Sequence, residues 1–231
     1  MLDNPGETGQ RVEVSIFPLP NIVLFPHAVL PLHIFEERYK EMTAHALAGD
    51  QLIAMALLQP GWEKNYYGVS AIDPMVCIGK IISHEQLPDG CYNLLLLGAS
   101  RARVVRETRH RPFRIAETEI IPACSASEPQ LAEMRDRLSA IFERGAFATT
   151  PIARQFRQMF ADGVATADVA DLIAFNFLDD IPLKQQLLAE SDAESRIAQL
   201  LSALESDPPP PPLNLAPGGI VLPLGDDPSL N

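Results

Sequence analysis

Between Val12 and Phe17 apolar positions (Val12, Val14, Ile16) alternate with polar ones (Glu13, Ser15), which predicts a strand with one buried face. The residues before about Arg11 are polar and read as a disordered lead-in. From Ile16 to Tyr39 the chain reads IFPLPNIVLFPHAVLPLHIFEERY, apolar runs interrupted by Pro18, Pro20, Pro26 and Pro31. Proline fixes φ and removes a backbone donor, so this stretch is predicted to be short extended pieces, strand ends and edges, bent around a β core. At Phe35 the period changes. Phe35, Tyr39, Met42, Ala46 and Leu47 recur at helical spacing, Glu36 and Glu37 suit a first turn, and Gly49 ends the helix. The pattern assigns Phe25, Leu30, Ile34 and Phe35 to the core.

Gln51–Leu58 is an apolar run of strand length closed by Pro60 and Gly61, followed by a loop from Trp62 to Ser70. Strands are predicted over Met75–His84 and Tyr92–Leu97, joined by a hairpin at Pro88-Asp89-Gly90. Gly98 marks a bulge or kink before Arg101–Arg106 continues, and Phe113–Pro122 is one further strand. Then the period becomes helical. Ser127 to Gln130 is a capping box ahead of an apolar face made by Leu131, Met134, Leu138, Ile141 and Phe142. A shorter helix runs from Pro151 to Gly163, and Thr166 is placed to cap an almost wholly apolar helix, VADLIAFNFL. Pro182 restarts a helix through Glu190. A second capping box, Ser191 to Glu194, precedes Ile197, Leu200, Leu201 and Leu204. Five prolines, Pro208 to Pro212, end the helical region as a stiff spacer. The tail beyond holds one apolar segment, Ile220–Leu224. It reads either as disordered or as an added edge strand or groove filler, on its own molecule or on a neighbour.

Composition narrows the functional classes. The 231 residues are 47% hydrophobic, and no apolar run reaches the roughly 18 to 20 residues that span a bilayer. The polar, acidic N-terminus lacks the features of a signal peptide, so a cytoplasmic protein is expected. Thirty acidic against 18 basic residues give a net charge of −12, which repels phosphate backbones unless a basic patch is segregated. The candidate patch is Arg101, Arg103, Arg106, Arg109, Arg111 and Arg114, which alternates with other residues like a solvated strand face. Cys77, Cys91 and Cys124 form no C-x-x-C pair and read as reduced thiols. The phosphate-cradling G-x-x-x-x-G-K-[ST] motif does not occur, because Gly79-Lys80 is followed by Ile; nor does G-x-S-x-G. The five histidines lack metal-ligand spacing, and the adjacent pairs Glu36-Glu37 and Asp179-Asp180 diverge by about 100° on a helix. No catalytic, metal or cofactor site is therefore assigned. Trp62, Tyr66 and Tyr67 are the best candidate exposed aromatic cluster for binding a partner.

Three stretches carry a resemblance. FPLPN-x-VLFP-x-x-x-LPL-x-IFEERY at Phe17–Tyr39 resembles the start of the Lon protease N-terminal domain. Gly79, Leu87 to Gly90, Asn93 to Leu96, Gly98, Arg101, Arg103 and Val104 follow the order of that family's second block. ADLIAFNFLDDIPLKQQLLAESDAESRIAQLLSALE resembles its helical half, so the likeness covers roughly residues 14 to 205. The resemblance implies an α+β fold. A PUA-like, mostly antiparallel β barrel with one helix would span 12–123, a helical bundle 125–206, and the proline-rich tail 207–231. It implies a stand-alone, non-catalytic module that recognises unfolded or apolar polypeptide without ATP, alone or alongside a protease or chaperone system. It also implies that Glu37 and Arg38 lie in the region of substrate contact. An RNA-binding PUA-like module and an enzyme of unrecognised type are the alternatives. An exposed apolar groove between the two subdomains would favour polypeptide binding.

Overall fold

The computed structural model describes residues 9–65, 70–110, 112–122, 126–143 and 146–206. Tyr66, Tyr67, Arg111, Cys124 and the Ile220–Leu224 segment lie outside them.

The chain is α+β, as the pattern predicts. Strands β1 (Arg11–Leu19), β2 (Val29–Ile34), β3 (Leu52–Leu57), β4 (Met75–Gln86), β5 (Tyr92–Arg109) and β6 (Arg114–Ile120) form one sheet, and helix α1 (Glu37–Ala48) lies between β2 and β3. The sheet closes. β1 pairs parallel with β3, and every other contact is antiparallel: β3 with β4, β4 with β5, β5 with β6, and β6 back to β1. The closed ring is small because alanines fill it: Ala54, Ala56, Ala102 and Ala116 lie inside among Val14, Ile16, Val76 and Ile78. Alternate residues of the same strands, such as Phe17, Ile53, Met55 and Cys77, face outward into a second apolar cluster. That double burial explains the unbroken apolar run of β3 and pushes the Cys77 thiol up to about 12.

β5 is 18 residues long and changes partners halfway. Its first part, Tyr92–Leu97, lies between β2 and the end of β4; its second part lies between β6 and the start of β4. Gly98 sits at the switch, beside a register shift. His27 N–H donates to the Gly98 carbonyl and Gly98 N–H to the Ala28 carbonyl, both at 2.8 Å. The Asp89-Gly90 turn closes the β4–β5 hairpin, with Gly90 at φ +81° as such a turn requires.

Helices α2 (Glu128–Ile141), α3 (Pro151–Ala161), α4 (Thr166–Phe177), α5 (Ile181–Ala189) and α6 (Ala193–Ser206) form the second subdomain. The box at Ser127 is present: its N–H and O–H donate to Gln130 Oε1 at 2.9 and 2.7 Å. α4 is the buried helix that its composition predicts.

Three expectations are corrected. Phe35 is 64% exposed and is not core. Strand alternation gives the inward position to Ile34, and the buried face of α1 begins at Tyr39. Thr166 is not the cap of α4; Ala165 is, and the Thr166 N–H and O–H both donate to the Glu128 carboxylate, tying α4 to α2. The cap of α6 is supplied by Asp192, one residue after Ser191, which accepts the Ser195 N–H at 2.8 Å. The two subdomains share a continuous apolar core and, beside it, buried charges.

Those charges fix the seam. Arg101 on β5 makes a bidentate pair with Asp171 on α4 at 2.8 and 2.7 Å, and its Nε donates to the Leu188 carbonyl. Arg196 on α6 donates to the same carboxylate at 3.0 Å and to the Glu190 carbonyl at 2.9 Å. Gln185 on α5 donates to the Met75 carbonyl at the start of β4. One carboxylate in α4 thus joins the barrel strand to two elements of the bundle.

At the rim of the seam His27 lies 3.4 Å from Asp168. Its φ of +66° is left-handed, a region histidine tolerates better than most residues. The hydrogen bond to Asp168 raises the imidazole pKa above 6.5, against the opposing effect of burial; the charges of Asp168 and Asp171 also raise it and Arg101 lowers it. A raised folded pKa means that the contact contributes fully below 6.5 and is lost as pH climbs through the folded value. The stability advantage of the native chain over His27→Asn, a residue that also accepts left-handed φ, is expected to shrink as pH rises from about 6 to about 8 in urea denaturation.

Candidate functional site

Beyond the ring, β2, the first part of β5 and the last part of β4 form a three-stranded tongue. Its inner face, Leu30, Ile34, Leu94 and Leu96, joins the core with Tyr39 and Met42 of α1. Strand alternation therefore turns Pro31, His33, Asn93 and Leu95 outward. Leu94 to Leu97 are four consecutive leucines, so two of them must leave the core face, and Leu95 and Leu97 are half-buried. Ile82, beside the β4 register shift, is 40% exposed. Phe35 stacks on His33 with centroids 6.1 Å apart and planes at 25°. Pro31, Leu32, His33, Ser83, Glu85 and Leu95 line a shallow groove of about 380 Å³ across this face. His33 Nδ1 and Asn93 Oδ1 are 2.8 Å apart and supply the polar contact at its centre.

The groove lies against an open edge. β2 has β5 on one side and no strand on the other among the described residues. Ala28 accepts the Gly98 N–H, so the even-numbered backbone groups of β2 point to β5, and those of Pro31 and His33 point to the open side. Pro31 thus places its missing donor where no partner strand asks for it, a position proline favours.

The residues proposed from sequence do not form one cluster. Glu37 and Arg38 are in the first turn of α1, next to Phe35 and at the tip of the tongue. Glu37 is exposed and lies 3.4 Å from Lys40; Arg38 pairs with Glu36 and covers the Tyr39 ring at 4.5 Å. Trp62 follows the end of β3, which lies at the opposite end of the barrel from the start of β5. Its carbonyl accepts the Ser70 hydroxyl, and the Ser70 carbonyl accepts Arg114. Pro31, His33, Ile82 and Leu95 were not singled out from sequence, although the four-leucine run on a strand with one core face was a signal for an exposed apolar pair.

Two other regions carry charge but no comparable surface. Arg101 and Arg114 are buried in ion pairs, Arg106 shares Glu117 with Arg11, Arg103 lies opposite Glu119, and Arg109 covers Phe113. The described arginines of this stretch are thus interleaved with carboxylates rather than segregated. The cleft at the seam, about 260 Å³, is lined by His27, Arg101, Asp168, Asp171 and Arg196, where two guanidiniums face two carboxylates. Among the described residues, no helix is long and apolar enough to cross a membrane.

Residues 13–206 match the family model described as the ATP-dependent protease La (LON) substrate-binding domain. The Lon protease of Escherichia coli (strain K12) is 25% identical over 204 residues, covering 88% of this chain and 26% of that protein. Lon protease 2 of Herpetosiphon aurantiacus is 28% identical over 203 residues, covering 85% of this chain and 24% of that protein. The chain therefore spans about a quarter of the length of the curated relatives it matches. Among solved structures, the N-terminal domain of the Mycobacterium avium complex Lon protease aligns with a TM-score of 0.64 at 17% identity, covering 85% of this chain and all (100%) of that one. The Lon N-terminal domain protein from Xanthomonas campestris aligns with a TM-score of 0.59 at 22% identity, covering 83% and 98%. Both likenesses are of fold.

Proposed function

Since the chain belongs to the LON substrate-binding domain family, we propose that it recognises polypeptide, holding extended apolar segments of client proteins on the outer face of the tongue without nucleotide. The observation that carries this reading is Phe35, an aromatic residue 64% exposed and stacked on His33, which lines the groove together with Pro31 and Leu95. An exposed aromatic ring at the end of a groove with apolar lining suits recognition of an apolar partner. Client side chains cover Phe35, Ile82 and Leu95, while Glu37 and Arg38 form a polar rim at the tip. Main-chain pairing contributes less, because Pro31, in the middle of the exposed edge, offers no donor. In this role the chain does no chemistry of its own; it presents or retains a client, alone or for a separate protease or chaperone.

The test is fluorescence anisotropy with a labelled, permanently unfolded polypeptide and no nucleotide. The native chain is expected to bind saturably in the micromolar range. Phe35→Ser is expected to weaken binding about tenfold or more, with stability changed by less than about 0.5 kcal/mol because the ring is exposed. Trp62→Ala, at the far end of the barrel, leaves binding unchanged. Equal affinity of Phe35→Ser and the native chain sinks the assignment of this face.

A further inference from the structure

Two cross-strand rows lie side by side on the outer face of the tongue. Pro31, Leu95 and Ser83 stand opposite one another in the first, and His33, Asn93 and Glu85 in the second. The first row, with Ile82 beside it, is mostly apolar; the second is polar, and all three of its members are exposed. His33 and Asn93 are joined to each other through Nδ1 and Oδ1 at 2.8 Å. Glu85 lines the same groove and has no ion-pair or hydrogen-bond partner among the described residues. It is the open charged group of the row. We infer that Glu85 forms a cation subsite, which selects client segments that carry Arg or Lys about two residues from the apolar residue seated on Leu95. The inference rests on the polypeptide-binding reading and adds to it the charge of what the groove takes.

The pleat sets that spacing. Glu85 is one strand across and two residues along from Leu95, so their Cα atoms are about 8 Å apart. Residues i and i+2 of an extended client are about 7 Å apart and point to the same side. A segment with an apolar residue on Leu95 therefore brings a neighbouring side chain of the same face over the polar row. Lys and Arg cover the remaining gap, because their apolar stems can lie along Leu95 while the charged head reaches the carboxylate. They are also donors only, which matches a carboxylate that only accepts.

The described cations nearest the tongue do not fill this place. Arg38 is 3.0 Å from Glu36, and Lys40 is 3.4 Å from Glu37. Lys80 stands opposite Leu97, four residues along β5 from Asn93 and so roughly 13 Å from the row. The net charge of −12 attracts a cationic segment from a distance, and an acidic side chain over the row would meet Glu85 as a like charge.

The test is fluorescence anisotropy with three labelled peptides that share one extended sequence rich in Leu and Phe and differ only at the flanking positions, which carry Arg, Gln or Glu. At low ionic strength the native chain is expected to bind the Arg peptide about threefold to fivefold more tightly than the Gln peptide, the size of an exposed charge pair, and the Glu peptide more weakly than either. Glu85→Gln is expected to bring the Arg peptide down to the affinity of the Gln peptide, which itself stays unchanged. Glu85→Lys is expected to reverse the order of the Arg and Glu peptides. Glu133→Lys, an equal change of net charge at an exposed position of α2, keeps the native order. Equal affinity of the native chain for the Arg and Gln peptides overturns the inference; if Phe35→Ser still weakens both, the functional reading stands without it. An Arg preference that survives Glu85→Gln undiminished, or that Glu133→Lys erases as fully as Glu85→Lys, also overturns it, since another group or the net charge would then be responsible. A native chain that binds none of the three fails the functional reading and the subsite with it.

Discussion

Asp171→Ala is expected to cost about 3–5 kcal/mol of stability, the range for leaving buried charges without their partner. The carboxylate accepts three N–H groups from two guanidiniums, and all three side chains are at most 4% exposed. Removing it leaves Arg101 and Arg196 facing each other across the seam, each still held by a backbone carbonyl that cannot neutralise it. Asp171→Asn keeps the volume but not the charge and should fall between the two. A chain with Arg101→Met, Asp171→Leu and Arg196→Met together should recover much of the loss, because buried ion clusters are often replaceable by apolar groups of similar size. Urea denaturation measures all three. A loss below about 1 kcal/mol for Asp171→Ala would mean that the apolar part of the seam holds the subdomains together unaided.

Gly98→Ala is the second large effect, about 3 kcal/mol or more for a single added methyl. Its Cβ would stand 2.0 Å from the Phe25 carbonyl oxygen and 2.8 Å from the carbonyl carbon. Both are backbone atoms, and the segment carrying them is held by the two hydrogen bonds that His27 and Ala28 make with Gly98 itself. The switch of β5 from β2 to β6 therefore depends on close backbone approach, not on an unusual φ. For Gly79→Ala the nearest atoms belong to the Leu96 side chain, at 2.6 Å, and the change should cost less because that side chain can turn. Gly61→Ala meets nothing within 4 Å and pays only for its φ of +90°, about 1 kcal/mol. Thermal unfolding of the three variants should rank them in that order; a Gly98→Ala chain as stable as Gly61→Ala contradicts the packing described for the switch.

Much of this fold is legible in the sequence because its signals are local. Alternation in β1, the hairpin glycine, the Ser127 box and the breaker at Gly98 each act within a few residues. What escaped local reading depends on distant partners. Arg101 sits among alternating strand residues and looks solvated, yet its partner is 70 residues away on α4. The matching clue was Asp171 itself, a carboxylate beyond the first turn of a helix apolar almost all round, which demands a buried cation. Phe35 fits the helical period of α1 but also ends the alternation of β2, and the strand pattern decides its direction. The separation of Trp62 from Glu37 and Arg38 follows from the closure of the sheet, which no local pattern encodes.

The most direct test of polypeptide recognition at the tongue is a titration of the isotope-labelled full chain with an unlabelled, permanently unfolded polypeptide, followed by amide chemical shifts. Shifts are expected to concentrate at His33, Phe35, Ile82 and Leu95, with the Trp62 end and the Asp171 seam unmoved. Shifts confined to Trp62 and Ser70 or to the seam, or no shifts at saturating polypeptide, would contradict it.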